Sequence, residues 1–317
     1  MPKRRRRNLL QRRGRSSACT PANQNGRRSN LLPFWFGILA VMDVSKAAVA
    51  HVRRIVWRHY RTHGRHDLPW RQTTDPYKIL VSEVMLQQTQ VARVVPKYEA
   101  FVARFPTVQA LAAAPLREVL VLWSGLGYNR RARMLHEAAK WVCAHGGAFP
   151  RTQAALQQLP GVGHYTAGAV CAFAYNQCVP LVETNIRTVC MHHLLPGRDK
   201  VPDAEILQLT KVLCPRGRAR EWYWALMDYG AHLKEQGVRL NAKSKHYTKQ
   251  SRFAGSDRQL RGAIVRVLTA HDIMTQKALV QAVQADTQNA APERIRAQLE
   301  RLVAEGMVMY DGRRYRA

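Results

Sequence analysis

The chain has 317 residues and 46% hydrophobic content, enough for two or three small domains with true cores. Fifty Lys and Arg stand against twenty-one Asp and Glu, a formal charge of +29 that favours a polyanionic partner, with a ribosomal or membrane-surface role as the plain alternative. Residues 1–41 hold ten of the basic residues and no acid, yet the forty remaining still leave the body basic, so nucleic acid is the favoured partner.

The tail is read first. Residues 31–42 (LLPFWFGILAVM) follow basic residues, like the apolar part of an export signal, but are too short to span a bilayer. The expectation is a disordered tail, or one preceding a true start at Met42, on a cytoplasmic, nucleoid-associated protein with no membrane partner. From about Ser45 to Met227 the pattern is helical almost throughout. Val52, Ile55, Val56, Trp57 and Tyr60 form one apolar face at helical spacing. Asp75-Pro76 predicts a helix start, with Asp as N-cap and Pro in the first turn. Thr107, Pro115 and Thr152 predict further starts. Residues 152–159 and 164–174 predict two helices around Pro160-Gly161-Val162-Gly163. Short loops join the helices and no run alternates as a strand. A compact all-α domain over residues 45–236 follows.

Residues 237–257 are polar and basic (Arg239, Lys243, Lys245, Lys249, Arg252) and read as a linker or a phosphate-facing loop. Helices are predicted over 260–268, 275–283 and 292–305. Residues 307–310 and 313–316 then flank Asp311-Gly312 as a hairpin. Three helices and a hairpin over 258–317 make a small winged-helix-like domain. The third helix and wing of such domains ordinarily contact DNA, although many bind proteins instead. The six cysteines (Cys19, Cys143, Cys171, Cys178, Cys190, Cys214) contain no CxxC and read mostly as buried thiols, not as a disulfide framework or a metal site.

The segment from Leu159 to Gly168 (LPGVGHYTAG) is the most telling. Two glycines one residue apart permit a tight turn and leave bare N–H groups at a helix start, where an anion such as a DNA phosphate is attracted. Upstream, Glu83 sits among apolar neighbours and is followed by the paired amides Gln87 and Gln88. Together SEVMLQQTQV, LWSGLGY, LPGVGHYTAGAV and Leu68-Pro69-Trp70-Arg71 resemble, in order, the A/G-specific adenine DNA glycosylases (MutY type) of the helix-hairpin-helix superfamily. The match runs from about Leu68 to Gly230.

The resemblance implies a helix-hairpin-helix glycosylase fold and roles for individual residues. Glu83 stands where the family keeps the general acid that protonates a ring nitrogen of the leaving adenine, and Val84 and Leu86 would raise its pKa. Glu183, in Val182-Glu183-Thr184-Asn185, stands where the family carries an Asp that stabilises the positively charged sugar. It keeps the charge on a longer arm. Tyr165 stands where bifunctional relatives carry a Schiff-base lysine, which implies base removal without strand cleavage. A packed core tyrosine is compatible with the same position. Trp70, Leu86 and Asp228 fall at the adenine pocket, although core packing is the ordinary reading of Trp70. Gln87, Gln88, Tyr128, Gly161, Gly163 and Asn185 fall at the DNA interface, with Gln88 and Tyr128 wedged into the stack that the target base leaves.

Two family features are missing from the sequence. No cysteine follows Ala231, so no iron–sulfur cluster is expected there. A winged-helix pattern stands in place of the MutT-like domain that inspects 8-oxoguanine. No metal is needed, and the hairpin carbonyls are a candidate site for a monovalent cation. The leading expectation is a monomeric, monofunctional adenine mismatch glycosylase of base excision repair acting on double-stranded DNA. A thymine or uracil mismatch glycosylase and a non-catalytic DNA-binding protein are the rivals.

Overall fold

The computed structural model describes residues 44–245, 252–287 and 290–317. The tail, Cys19 and Lys249 lie outside the described residues. The body is all-helical from Lys46 to Glu235, as the pattern predicts: α1 (Lys46–His63), a 3-10 turn (Pro69–Arg71), α2 (Pro76–Leu86), α3 (Val91–Arg104), α4 (Val108–Ala113), α5 (Leu116–Trp123), α6 (Arg130–Ala144), α7 (Gln153–Leu156), α8 (His164–Tyr175), α9 (Thr184–His193), α10 (Asp203–Leu213) and α11 (Ala219–Glu235).

The starts are set by local chemistry. Ser45, Asp75, Thr107 and Thr152 each accept a hydrogen bond from a first-turn N–H, satisfying donors that the helix leaves bare. Pro76 opens α2 with its φ already helical. Val52, Val56 and Tyr60 bury the inner stripe of α1 against α11. The first helix of the Gly-flanked hairpin is shorter than predicted. α7 is a single turn, because Gln157 to Leu159 close with tight turn hydrogen bonds instead of continuing the helix.

α8 is buried almost end to end, and its face rests on α2 on one side and α11 on another. Gly168 makes that packing possible, since a Cβ there would lie 2.6 Å from Leu181 Cδ2. α8 stops at Asn176, which adopts the left-handed conformation (φ 54°). Asn176 Nδ2 donates to Gly217 O (2.7 Å) and its Oδ1 accepts from Arg220 N (3.0 Å), tying the end of α8 to the start of α11.

That tie brings Cys178 beside Cys214, and the two form a disulfide across a sequence separation of 36. The reading of these two cysteines as thiols is corrected by this pairing. Its cause is the docking of two distant chain reversals, which no local spacing encodes. Cys171 and Cys190 are buried thiols as expected, and Cys143 is half-buried.

Among the described residues of the polar 237–257 segment, Asn241–Lys243 form a 3-10 turn and Ser244 bridges to Val201. The winged-helix pattern then appears in full: α12 (Asp257–His271), β1 (Ile273–Thr275), α13 (Gln276–Asp286), α14 (Pro292–Ala304), β2 (Met309–Tyr310) and β3 (Arg314–Arg316). The predicted hairpin β2–β3 gains β1 as a third, antiparallel strand in the order β1-β3-β2. This small domain docks on the helical body through α12 and α5. Arg117 of α5 donates to Thr269 O (2.7 Å) and pairs with Asp272, while Arg133 of α6 donates to Glu305 O. Among the described residues no helix is long and apolar enough to cross a membrane.

Candidate active site

The site is built where α2, α8 and the start of α9 meet. α2 is apolar around most of its circumference, so Glu83 is carried into the interior with Ile79, Leu80 and Val84 and is only 7% exposed. Burial disfavours the carboxylate, and the nearby charge of Glu183 adds to that. A hydrogen bond from Tyr165 and the cation of Arg71 work in the opposite direction. The net result pushes the Glu83 carboxyl up to about 7. Tyr165, in the first turn of α8, is raised well above the ordinary phenol range by burial and by both carboxylates, so its hydroxyl stays protonated and serves as a donor to Glu83.

Glu183 is the N-cap of α9. Its Oε1 accepts from the N–H groups of Asn185 and Ile186, both at 2.8 Å, and Oε2 accepts from Thr184 Oγ1 at 3.1 Å. The longer arm therefore folds back on its own helix start, where the helix dipole also favours a negative charge. α11 passes this helix start very closely. A Cβ on Gly230 would lie 2.3 Å from Asn185 O, so only glycine permits the crossing. The approach delivers Lys234, whose Nζ donates to Thr184 Oγ1 (3.0 Å) and Asn185 Oδ1 (2.6 Å). Burial lowers the Lys234 amine from its usual range, although Glu183 opposes the effect.

Behind Glu83 lies a buried ion pair. Asp228 of α11 receives Arg71 through Nη1 (2.7 Å) and Nη2 (2.9 Å), and also the backbone N–H and Nε of Arg65 (3.0 and 2.7 Å). Burial by itself would raise the Asp228 carboxyl, but these cations and hydrogen bonds hold it below the ordinary range. Both oxygens of Asp228 are thus engaged with arginine, and the cation of Arg71 reaches Glu83. Trp70 is buried with its ring edge-on to Tyr98 (5.4 Å between centroids), and Leu86 is half-buried at the end of α2.

Gln87, Gln88 and Tyr128, which the resemblance assigns to the DNA interface, lie on adjoining loop tips. Gln87 closes α2 and its Nε2 reaches Thr166 Oγ1 at 3.4 Å. Gln88 and Tyr128 both adopt left-handed backbone conformations (φ 55° and 49°), each costing roughly 1 kcal/mol for a residue with a Cβ. Arg131 holds both tips. Its Nη1 donates to the carbonyls of Val84, Met85 and Gln87, and its Nη2 to those of Leu126 and Gly127, at 2.6–3.1 Å. In the hairpin, Gly161 has φ +73° and a Cβ there would meet Met134 Cβ at 2.5 Å. Gly163 has an ordinary φ of −83°, caps α8, and has open space around its Cβ position. Glycine is required at the first position by strain and contact, and leaves the second open for an approaching group.

Glu83, Tyr165, Glu183 and Asn185 thus share one centre, and Gln88, Tyr128 and Gly161 share the rim of a neighbouring groove. The sequence reading overlooked Arg71, Arg131 and Lys234. Arg71 had a signal, a lone cation directly after Leu-Pro-Trp. Arg131 sits in Arg130-Arg131-Ala132-Arg133, where a buried clamp looks like its surface neighbours. No cysteine follows α11 in this sequence, and Cys214 is bonded to Cys178.

This arrangement, an acid on a buried helix facing the second helix of a Gly-flanked hairpin, defines a helix-hairpin-helix glycosylase. Residues 81–216 match the HhH-GPD superfamily of base excision DNA repair proteins. The adenine DNA glycosylase of Mycolicibacterium smegmatis is 39% identical over 225 residues, covering 65% of this chain and 76% of that protein. The adenine DNA glycosylase of Mycobacterium tuberculosis is 35% identical over 297 residues, covering 84% and 92%. A solved thermostable thymine-DNA glycosylase is 30% identical with a TM-score of 0.50, over 58% of this chain and 88% of its own. The chain belongs to the adenine DNA glycosylase family within this superfamily of base excision repair proteins.

Proposed function

We propose that this protein hydrolyses the N-glycosidic bond of adenine mispaired with guanine or 8-oxoguanine in double-stranded DNA, leaving the strand intact. The observation that carries the reading is Glu83, a buried carboxyl poised at about 7 with Tyr165 donating to it. At neutral pH a large fraction of it holds a proton. It gives that proton to a ring nitrogen of the extruded adenine as the bond between sugar and base breaks. The positive charge left on the sugar is stabilised by Glu183, whose carboxylate the start of α9 holds rigid. Water then adds to the sugar carbon and loses a proton. Tyr165 offers no amine, so no Schiff-base adduct of the sugar forms there.

The proposal extends to a cofactor-free monomer working on nucleoid DNA, since one chain assembles the whole centre and no cluster ligands follow α11. The test is a single-turnover assay on end-labelled duplexes with adenine opposite guanine or 8-oxoguanine. Strand breaks that appear only after alkali, with no borohydride-trapped adduct, are expected. Glu83→Gln should abolish release while duplex binding persists; full activity in that variant would remove Glu83 as the acid. The likeness to a thymine-DNA glycosylase puts G·T and G·U duplexes in the same panel, and release from those alone would reassign the base.

A further inference from the structure

A groove of about 1150 Å³ runs between the helical body and the winged-helix domain, beside the wedge and not at Glu83. Gln88, Tyr128 and Pro160–Val162 line one wall; the other is Phe253 and α12. The wall comes mainly from the first helix of the small domain; the third, where a winged helix ordinarily reads DNA, contributes Leu302 alone. Six arginines line the groove and no Asp or Glu does. Two of them are neutralised within the small domain, Arg261 by Glu305 and Arg266 by Asp286.

Arg258 stands at the second position of α12, past the Ser256 cap, and reaches across to the body. Its Nη1 donates to Tyr128 Oη at 2.6 Å, and its guanidinium lies 5.6 Å from the Tyr128 ring centroid. Phe253, 62% exposed, and Tyr128, 39% exposed, flank the same opening. Aromatic faces beside a guanidinium suit stacked bases, and the basic lining suits their phosphates.

We infer that this groove receives the strand opposite the extruded nucleotide, and that Arg258 is a specificity-determining residue that reads the unpaired base left there. The inference rests on the proposed glycosylase reading, because only an extruded partner leaves an unpaired base beside Tyr128. An arginine fork fits the two acceptors on the edge of guanine, a match worth a tenfold or larger preference. Tyr128 enters the gap while Arg258, already bonded to its hydroxyl, is carried to the edge of the base that remains.

The test measures binding, with no chemistry involved, to duplexes carrying a tetrahydrofuran abasic analogue opposite either guanine or a second abasic analogue. Wild-type protein is expected to prefer the guanine duplex at least tenfold. Arg258→Ala should lose most of that preference, with binding to the doubly abasic duplex changed less than threefold. Arg258→Lys, which keeps the charge but not the fork, should resemble alanine on the guanine duplex. Full preference in the lysine variant, equal loss on both duplexes, or tighter binding by Arg258→Ala would each overturn the inference. Thermal midpoints of the variants confirm that they fold. Adenine release by wild-type protein is scored separately, so failure of the glycosylase reading and failure of the groove reading give different results.

Discussion

In the proposed reaction Glu83 must carry a proton to act, and its burial supplies the condition. With its carboxyl at about 7, the protonated fraction falls as pH rises, so single-turnover adenine release is expected to drop tenfold per pH unit above about 8. A rate that stays flat from pH 6 to 9 would show that proton donation by Glu83 does not limit the reaction. The same shift has a stability consequence of definite sign. The folded state holds the proton more tightly than the unfolded chain, whose carboxyl titrates near 4.5. The stabilisation is full below pH 4.5 and is lost as pH rises through about 7, a change of roughly 3 kcal/mol across the window. Glu83→Gln should therefore gain thermal stability relative to wild type at pH 8 and much less at pH 5, measured by calorimetry at both.

At the scale of elements, the end of α2 and the Ser124–Tyr128 loop are independent in sequence and held together by one side chain. Arg131 donates to five carbonyls on the two segments with its planar fork, and lysine has neither the geometry nor the donors to replace it. Arg131→Lys should speed amide exchange at residues 87–89 and 125–128 by tenfold or more and slow adenine release, with little change in exchange in α9 and α10. A uniform increase across the body would mean that Arg131 supports the whole fold and not the two tips.

Such a clamp also marks where sequence reading ends. The starts at Asp75-Pro76, Thr107 and Thr152 were legible because a cap is an interaction within three residues. The Gly161 turn and the apolar setting of Glu83 were legible for the same reason. The Arg71–Asp228 pair, the Cys178–Cys214 bond and Arg131 join segments whose proximity only the completed packing creates. Glu183 shows the boundary within one residue: its charge was readable, but its use as the cap of α9 shows only once the loop before that helix is folded. The strand β1 is three residues long with two of them exposed, and it becomes a strand only because β3 lies beside it.

On the scale of the whole molecule, charge decides how the protein meets DNA. Much of the arginine content is internally committed: Arg198 to Glu205, Arg187 to Asp203, Arg261 to Glu305. Arg93, exposed on α3 at the edge of the groove, has no ion-pair partner among the described residues. A phosphate contact releases a condensed counterion, so the slope of log binding constant against log salt should become shallower by about 0.9 when one such contact is removed. Arg93→Ala is expected to show that change on matched and mismatched duplexes alike, because a phosphate contact carries no base information. Arg198→Ala, which breaks a pair with Glu205 away from the groove, should leave the slope unaltered. Titrations between about 50 and 200 mM salt cover a range in which a protein with several phosphate contacts loses orders of magnitude in affinity. Equal slopes for the two variants would move the DNA path off the α3 side of the groove. A change confined to the mismatched duplex would make Arg93 a reader of the lesion and not of the backbone.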